Sequence, residues 1–310
     1  TLVAELLEEH ERIKVSSQTV WRLMRAKGLW KKRSRKKSAR HVWRERKQHY
    51  GEMQQLDGSE HDWFEGRAPR ATLLKFIDDA TSCVTWLEFV LSESYDAVMR
   101  VTKKYLEKHG RPVTIYTDRG KVFKVNTQAA DKKFITQFDR ALKEMDIRLI
   151  FARTPQAKGR VERGFGTDQD RLVKLMRLRN ISTIEEANSF IQTYYLPKHN
   201  EKFARKAAKE GDMHRSIEGY NLYDIFARKQ ERSVGNDWTV HYDKCIFQID
   251  EEKVKVRKKD TVLVCKRLDG SIYITSQGQK LSCKQILQKG ENGPQQIIQK
   301  DRLIQHKPAK

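Results

Sequence analysis

Cysteine is scarce in this chain of 310 residues, and the four present, Cys83, Cys245, Cys265 and Cys283, stand far apart with no C-x-x-C pair. That spacing argues against a zinc site and a disulfide scaffold and leaves reduced, mostly buried thiols. Long apolar runs are missing as well. No stretch of about 18 uncharged apolar residues occurs and the N-terminus has no apolar signal segment, so a soluble, cytosolic chain is expected. The chain opens on Thr1 rather than Met, a start compatible with a first domain truncated upstream. Acids are in deficit: 41 Asp and Glu face 63 Lys and Arg, a formal net charge of +22. Charged residues make up 34% of the chain, above the ~25% of ordinary globular proteins. An acidic or near-neutral surface is excluded, leaving nucleic acid, an acidic protein, an anionic membrane or plain solubility as reasons for the charge. Twelve Phe, ten Tyr and six Trp supply real cores, and the length suggests two or three domains.

The position of the charge narrows these choices. Residues 1–50 hold 15 bases and 5 acids, nearly half of the whole excess. A solubility role spreads charge evenly and a membrane role wants apolar insertion beside it, so polyanion binding remains. Within this region Leu2 to Glu11 predicts an amphipathic helix with an acidic solvent face that repels DNA. Ser16-Ser17-Gln18-Thr19 then suits an N-cap, followed by a basic helix over Val20–Lys27 and a stopping Gly28. Two short helices with polar side chains opening the second fit a helix-turn-helix, with Ser17, Gln18, Thr19, Arg22 and Arg25 facing DNA; a small helical hairpin of any other kind fits the same stretch. Lys31 to Lys47 carries ten bases, among them Lys31, Lys32, Arg33, Arg35, Lys36, Lys37 and Arg40, against the single acid Glu45. Charges this dense cannot pack a core, and the segment reads as a DNA-contacting arm or a solvated linker.

From Gly51 the texture becomes α/β. Strands are expected over 52–58, 71–79 and 83–90 as an antiparallel meander, then a helix from Ser94 to His109 closed by Gly110, a strand over 112–117, a helix over 134–145 and a strand over 148–152. Thr154-Pro155 opens a last helix running past Glu162 towards Arg179. Residues 184–232 read as helical and polar. Short strands over 238–242, 245–249, 253–257, 261–265 and 272–274 suggest a small β-barrel, and 284–310 a flexible tail.

Three carboxylates stand out by position. Asp57 ends the first strand, Asp118 ends the fourth, and Glu162 lies two turns into the last helix. If the first and fourth strands are central neighbours, the three acids converge, and their mutual repulsion calls for a divalent cation; hard oxygen ligands suit Mg²⁺ or Mn²⁺. Glu60, Asp62, Asp78 and Asp79 are rival acids, the last two explained by hairpin-turn chemistry. Lys158 stands one turn before Glu162, where an i, i+4 ion pair explains it as well as a phosphate contact does. Arg160 and Arg119 have the same two readings.

These motifs together, Gln55-Leu56-Asp57-Gly58-Ser59, His61 to Arg67, Phe76-Ile77-Asp78-Asp79-Ala80-Thr81, Tyr116-Thr117-Asp118-Arg119 and Pro155 to Arg163, resemble the integrase-type core of bacterial insertion-sequence DDE transposases, closest to the ISNCY group. The resemblance covers about residues 15–225. It implies a multidomain α+β protein: a helix-turn-helix (1–29), a basic arm (30–50), an RNase H-like α/β catalytic core (51–183), a helical connector (184–232), a small β-barrel (233–283) and a basic tail (284–310). It also implies a DDE triad of Asp57, Asp118 and Glu162, Mg²⁺ dependence with Mn²⁺ as substitute, binding of double-stranded DNA at transposon ends and target, a homo-oligomer of at least two copies, no membrane, and a bacterial cytoplasmic, nucleoid-associated location. The 43 residues between Asp118 and Glu162 exceed the D-x(35)-E spacing of retroviral-type integrases, which places an insertion near Lys121–Lys133. A domesticated DNA-binding regulator and a structure-selective RNase H-like nuclease without strand transfer are the alternatives.

Overall fold

The computed structural model describes residues 1–30, 45–118, 137–152, 159–250 and 256–288. Two helices come first, α1 (Leu2–Glu11) and α2 (Ser17–Ala26). Ser16 caps α2, its hydroxyl accepting the Thr19 N–H at 3.0 Å, and Gly28 turns the chain out at φ +68°.

The central unit is a five-stranded sheet. Strands β1 (Met53–His61), β2 (Ala71–Asp78) and β3 (Val84–Val90) form the expected antiparallel meander. After α3 (Tyr95–His109) come β4 (Thr114–Thr117), α4 (Gln137–Glu144), β5 (Arg148–Phe151) and α5 (Gly159–Leu178). The strand order is β3-β2-β1-β4-β5, with β4 parallel to both β1 and β5. Ser94 caps α3 and Gly110 ends it at φ +85°, as their residue types require.

All eight residues of β2 are buried because the sheet is covered on both faces. Leu73 and Ile77 pack with Val161, Phe165 and Leu172 of α5; Leu74 and Phe76 pack with Val98, Val101 and Tyr105 of α3 and Leu142 of α4. Each such apolar side chain contributes roughly 1.5–3 kcal/mol on burial. Sheet faces alternate along the strand, and the helices follow that alternation.

Glu8, Glu9 and Glu11 keep part of the acidic face of α1 exposed, while Glu5 turns partly inward. Glu5 pairs with Arg171 and Lys202, while Glu9 pairs with Lys198 at 2.5 Å and accepts the Tyr194 hydroxyl. Leu2 enters the core beside α5, so the helix docks by a combined apolar and Coulombic fit. Burial works against the Glu5 charge, yet the hydrogen bonds from Arg171 and Lys202 outweigh it and hold the carboxyl below its ordinary range.

Beyond α5 the chain forms α6 (Ile184–Phe190), a π-helical turn (Ile191–Tyr195), α7 (Leu196–Phe203) and the short α8 (Leu222–Ile225). Strand β6 (Arg228–Ser233) falls in the stretch read as helical. It pairs along six residues with β9 (Thr261–Lys266), after β7 (Thr239–Tyr242) and β8 (Cys245–Ile249). Then follow β10 (Ile272–Ser276), β11 (Gln279–Lys280) and β12 (Cys283–Gln288), the last within the stretch read as a tail. Among the described residues these strands make two sheets, β11-β10-β9-β6 and β12-β8-β7, rather than the closed barrel expected. Val240, Phe247, Ile249, Val262, Val264 and Ile274 form one apolar core for both sheets, which buries their inner faces without closure. The strand expected over 253–257 and the insertion at 121–133 lie outside the described residues, apart from Val256 and Arg257. No helix among the described residues is long and apolar enough to cross a membrane.

Candidate functional site

The site is organised by one parallel register. Met53, Gln54 and Gln55 of β1 stand opposite Thr114, Ile115 and Tyr116 of β4. Asp57 lies two residues beyond Gln55 and Asp118 two beyond Tyr116, on neighbouring strands about 4.8 Å apart. Asp118 follows the end of β4, whereas Asp57, expected to end its strand, sits mid-strand because β2 keeps β1 paired as far as His61. Both acids are half-buried. The Asp57 carboxylate accepts its neighbour's N–H, from Gly58, at 3.0 Å. On the other side Asp57 is in register with Lys75 of β2.

The third acid, Glu162, is exposed in the first turn of α5. That helix packs across β1 and is seated by Val161, Phe165 and Leu172. Its twenty residues run unbroken through Gly164 and Gly166. A Cβ on Gly164 would lie 2.9 Å from the Lys75 Nζ, whereas one on Gly166 would meet nothing within 4 Å. Gly164 is thus a close-approach glycine and Gly166 is not.

The structure puts Asp57 and Asp118 on or just beyond adjacent parallel strands, each two residues past the last paired position, and Glu162 on the helix that packs across β1. The three donors are all hard oxygens, a chemistry that suits Mg²⁺. In placement the described residues contain no group of three or more His, Cys, Asp or Glu side chains positioned to share such an ion.

Sequence reasoning missed two buried polar clusters beside these strands. Lys75 and Asp168 form an ion pair in which both side chains are 0% exposed. Tyr195 donates to the same carboxylate at 2.8 Å, and His199 stands 3.7 Å from it. Burial pushes the His199 imidazole down to about 4, so the ring is neutral near pH 7. A lysine in the middle of the apolar run Ala71-Thr72-Leu73-Leu74-Lys75-Phe76-Ile77 was the signal that a charge would need a buried partner.

The second cluster involves Asp78 and Asp79. Asp78 accepts from Thr81 N–H at 2.8 Å and Thr81 Oγ1 at 2.7 Å, the turn chemistry expected, and also from Gly51 N–H and Gln54 Nε2. Burial pushes the Asp78 carboxyl up. Asp79, fully buried, accepts from Lys47 N–H, Gln55 Nε2 and Arg160 Nη1.

Of the predicted DNA contacts, Ser17, Gln18, Thr19, Arg22 and Arg25 are all exposed along α2. Arg160 instead turns its guanidinium to Asp79. Lys31, Lys32, Arg33, Arg35, Lys36, Lys37, Arg40, Arg119 and Lys158 lie outside the described residues.

Two curated relatives align with almost the whole chain. The transposase for insertion sequence IS1202 of Streptococcus pneumoniae is 30% identical over 321 aligned positions, covering 91% of this chain and 68% of that protein. The chain belongs to the insertion-sequence transposases. The y4bF protein of Sinorhizobium fredii, named a candidate transposase, is 35% identical over 309 residues, covering 99% of this chain and 65% of the relative. This transposase chain thus spans about two thirds of the length of both relatives. No family model matches it. Among solved structures, a simian T-cell lymphotropic virus intasome chain aligns at TM-score 0.44 and 15% identity over 86% of this chain and 88% of that one. The HTLV-2 integrase catalytic core with magnesium aligns at TM-score 0.36 and 17% identity over 45% of this chain and 81% of that one.

Proposed function

We propose that this transposase chain cuts phosphodiester bonds at the ends of its mobile element to expose 3′-hydroxyls and joins them to target DNA by direct transesterification. The observation that supports the reading is the parallel β1–β4 register, in which Gln55 and Tyr116, each two residues before one of the acids Asp57 and Asp118, stand opposite each other. An antiparallel meander followed by two parallel strands in the order β3-β2-β1-β4-β5 supports an RNase H-like core. Asp57 and Asp118, with Glu162 from α5, are the residues that would hold Mg²⁺, or Mn²⁺ in its place. Such an ion, when bound, activates the attacking oxygen and stabilises the leaving one. The chain's own part is to set the two strand carboxylates on rigid neighbouring strands and to deliver the helix acid across them.

The α1–α2 pair serves as the helix-turn-helix for terminal repeats, reading DNA through Ser17, Gln18, Thr19, Arg22 and Arg25. The basic arm from Lys31 to Arg40, with Arg119 and Lys158, adds phosphate contacts. Two ends must be held at once, which requires at least a dimer, and the work is done in the bacterial cytoplasm at the nucleoid. The test is Asp118→Asn. It should bind an end-containing duplex like the unaltered chain and lose Mg²⁺-dependent nicking; retained nicking overturns the assignment. A precleaved 3′-hydroxyl end that is never joined to target would instead identify a nuclease.

A further inference from the structure

Asp79 gathers three separate segments of the chain at one buried carboxylate. It accepts the Lys47 N–H at the end of the basic arm (2.8 Å), the Gln55 amide on β1 (2.6 Å) and the Arg160 guanidinium on α5 (2.5 Å). Arg46 closes over the same turn, donating to the carbonyls of Asp79 and Ala80 and to Ser82 Oγ. Turn chemistry accounts for Asp78, which serves Thr81 across the hairpin; it does not account for a neighbour whose partners come from three other elements. Two of those partners sit two residues before a candidate catalytic acid, Gln55 before Asp57 and Arg160 before Glu162.

The start of α5 needs such a tether. Gly159, Gly164 and Gly166 fall within the first eight described residues of α5, so intrinsic propensity holds this end weakly. A cation in the first turn also stands at the unfavourable end of the helix dipole, so Arg160 is there for its partner. Its side chain is 16% exposed and points inward to a carboxylate that is 0% exposed, where a charge-assisted hydrogen bond is strong.

We infer that Asp79 is a positioning residue for Glu162: through Arg160 it fixes the first turn of α5 against β1 at Gln55, and through Lys47 and Arg46 it ties the basic arm to the same point. The inference rests on the catalytic reading of Asp57, Asp118 and Glu162.

The experiment uses the full chain and three readouts: hydrogen exchange of the amides of residues 163–166, affinity for an end-containing duplex, and nicking at saturating duplex. Arg160→Gln should speed that exchange at least tenfold and lower nicking by about ten- to a hundredfold, with duplex affinity unchanged. Arg160→Lys should recover part of both losses. Asp79→Asn should match Arg160→Gln, and the double variant should be no worse than the poorer single one, as for residues acting as one unit. If Asp79→Asn fails to fold, the two Arg160 variants decide. Unchanged exchange and nicking in Arg160→Gln overturns the proposal. So does a weaker duplex affinity with a salt slope reduced by about one, which marks a phosphate contact. An unaltered chain that never nicks overturns the catalytic reading instead, and the exchange rates still decide whether Asp79 holds α5.

Discussion

The Lys75 ammonium and the Asp168 carboxylate meet beneath α5, both side chains wholly out of solvent. The pair joins the strand alongside Asp57 to the helix that carries Glu162. Removing one partner leaves an uncompensated buried charge, so Lys75→Met should cost about 3–5 kcal/mol. Replacing both, Lys75→Met with Asp168→Leu, should recover most of that. Urea unfolding of the three variants checks it, and a double variant as unstable as the single one contradicts it.

The two glycines of α5 should respond in opposite directions to alanine. Gly166→Ala meets open space and should stabilise the helix by up to about 1 kcal/mol through propensity. At Gly164 the new methyl would meet an ammonium pinned by Asp168, and the displacement should exceed the propensity gain. The expected loss is roughly 1–2 kcal/mol, in the range of overpacked cores. Thermal unfolding of both variants reads the sign directly.

His199 sets an acid limit on stability. Burial, only partly countered by Asp168, lowers its pKa from 6.5 to about 4 in the folded chain. Between those values the unfolded chain binds the proton and the folded chain does not, so this contribution is full above pH 6.5 and falls away as pH drops towards 4. The total is at most about 3 kcal/mol. His199→Gln should flatten the difference in unfolding free energy between pH 7 and pH 5; an equal slope in the variant refutes the assignment.

Arg22 and Arg25 test the DNA face of α2. Each Arg→Ala change should weaken duplex binding and reduce the slope of log affinity against log salt by about 0.9. Folding should be unaffected because both side chains are exposed. Slopes unchanged in both variants would remove α2 from the DNA interface.

Much of the core was legible because its signals are local. Ser94 and Gly110 bound α3 by cap chemistry, and the apolar runs of β2 and β3 mark strands covered on both faces. Strand β6 was not legible. Arg228-Lys229-Gln230-Glu231-Arg232-Ser233 contains no apolar residue, and it is a strand because β9 offers it a complete ladder of partners. The ion pairs of Glu5 and Glu9 on α1 were hidden for a related reason: their partners, Arg171, Lys198 and Lys202, lie more than 150 residues away along the chain.

The sequence by itself determined the element types of the core, the position of Asp118 just after β4, and the basic arm. Those properties follow from periodicity, caps and charge density, which act over a few residues. Asp57, expected at the end of its strand, lies in the middle of β1, which β2 pairs on to His61. The tertiary structure decided that Asp79 serves three distant segments rather than a turn alone, and that Lys75 and Asp168 share a buried ion pair. A carboxylate's role depends on which cations and dipoles surround it and on how far it is removed from water, and both are properties of packing between distant parts of the chain.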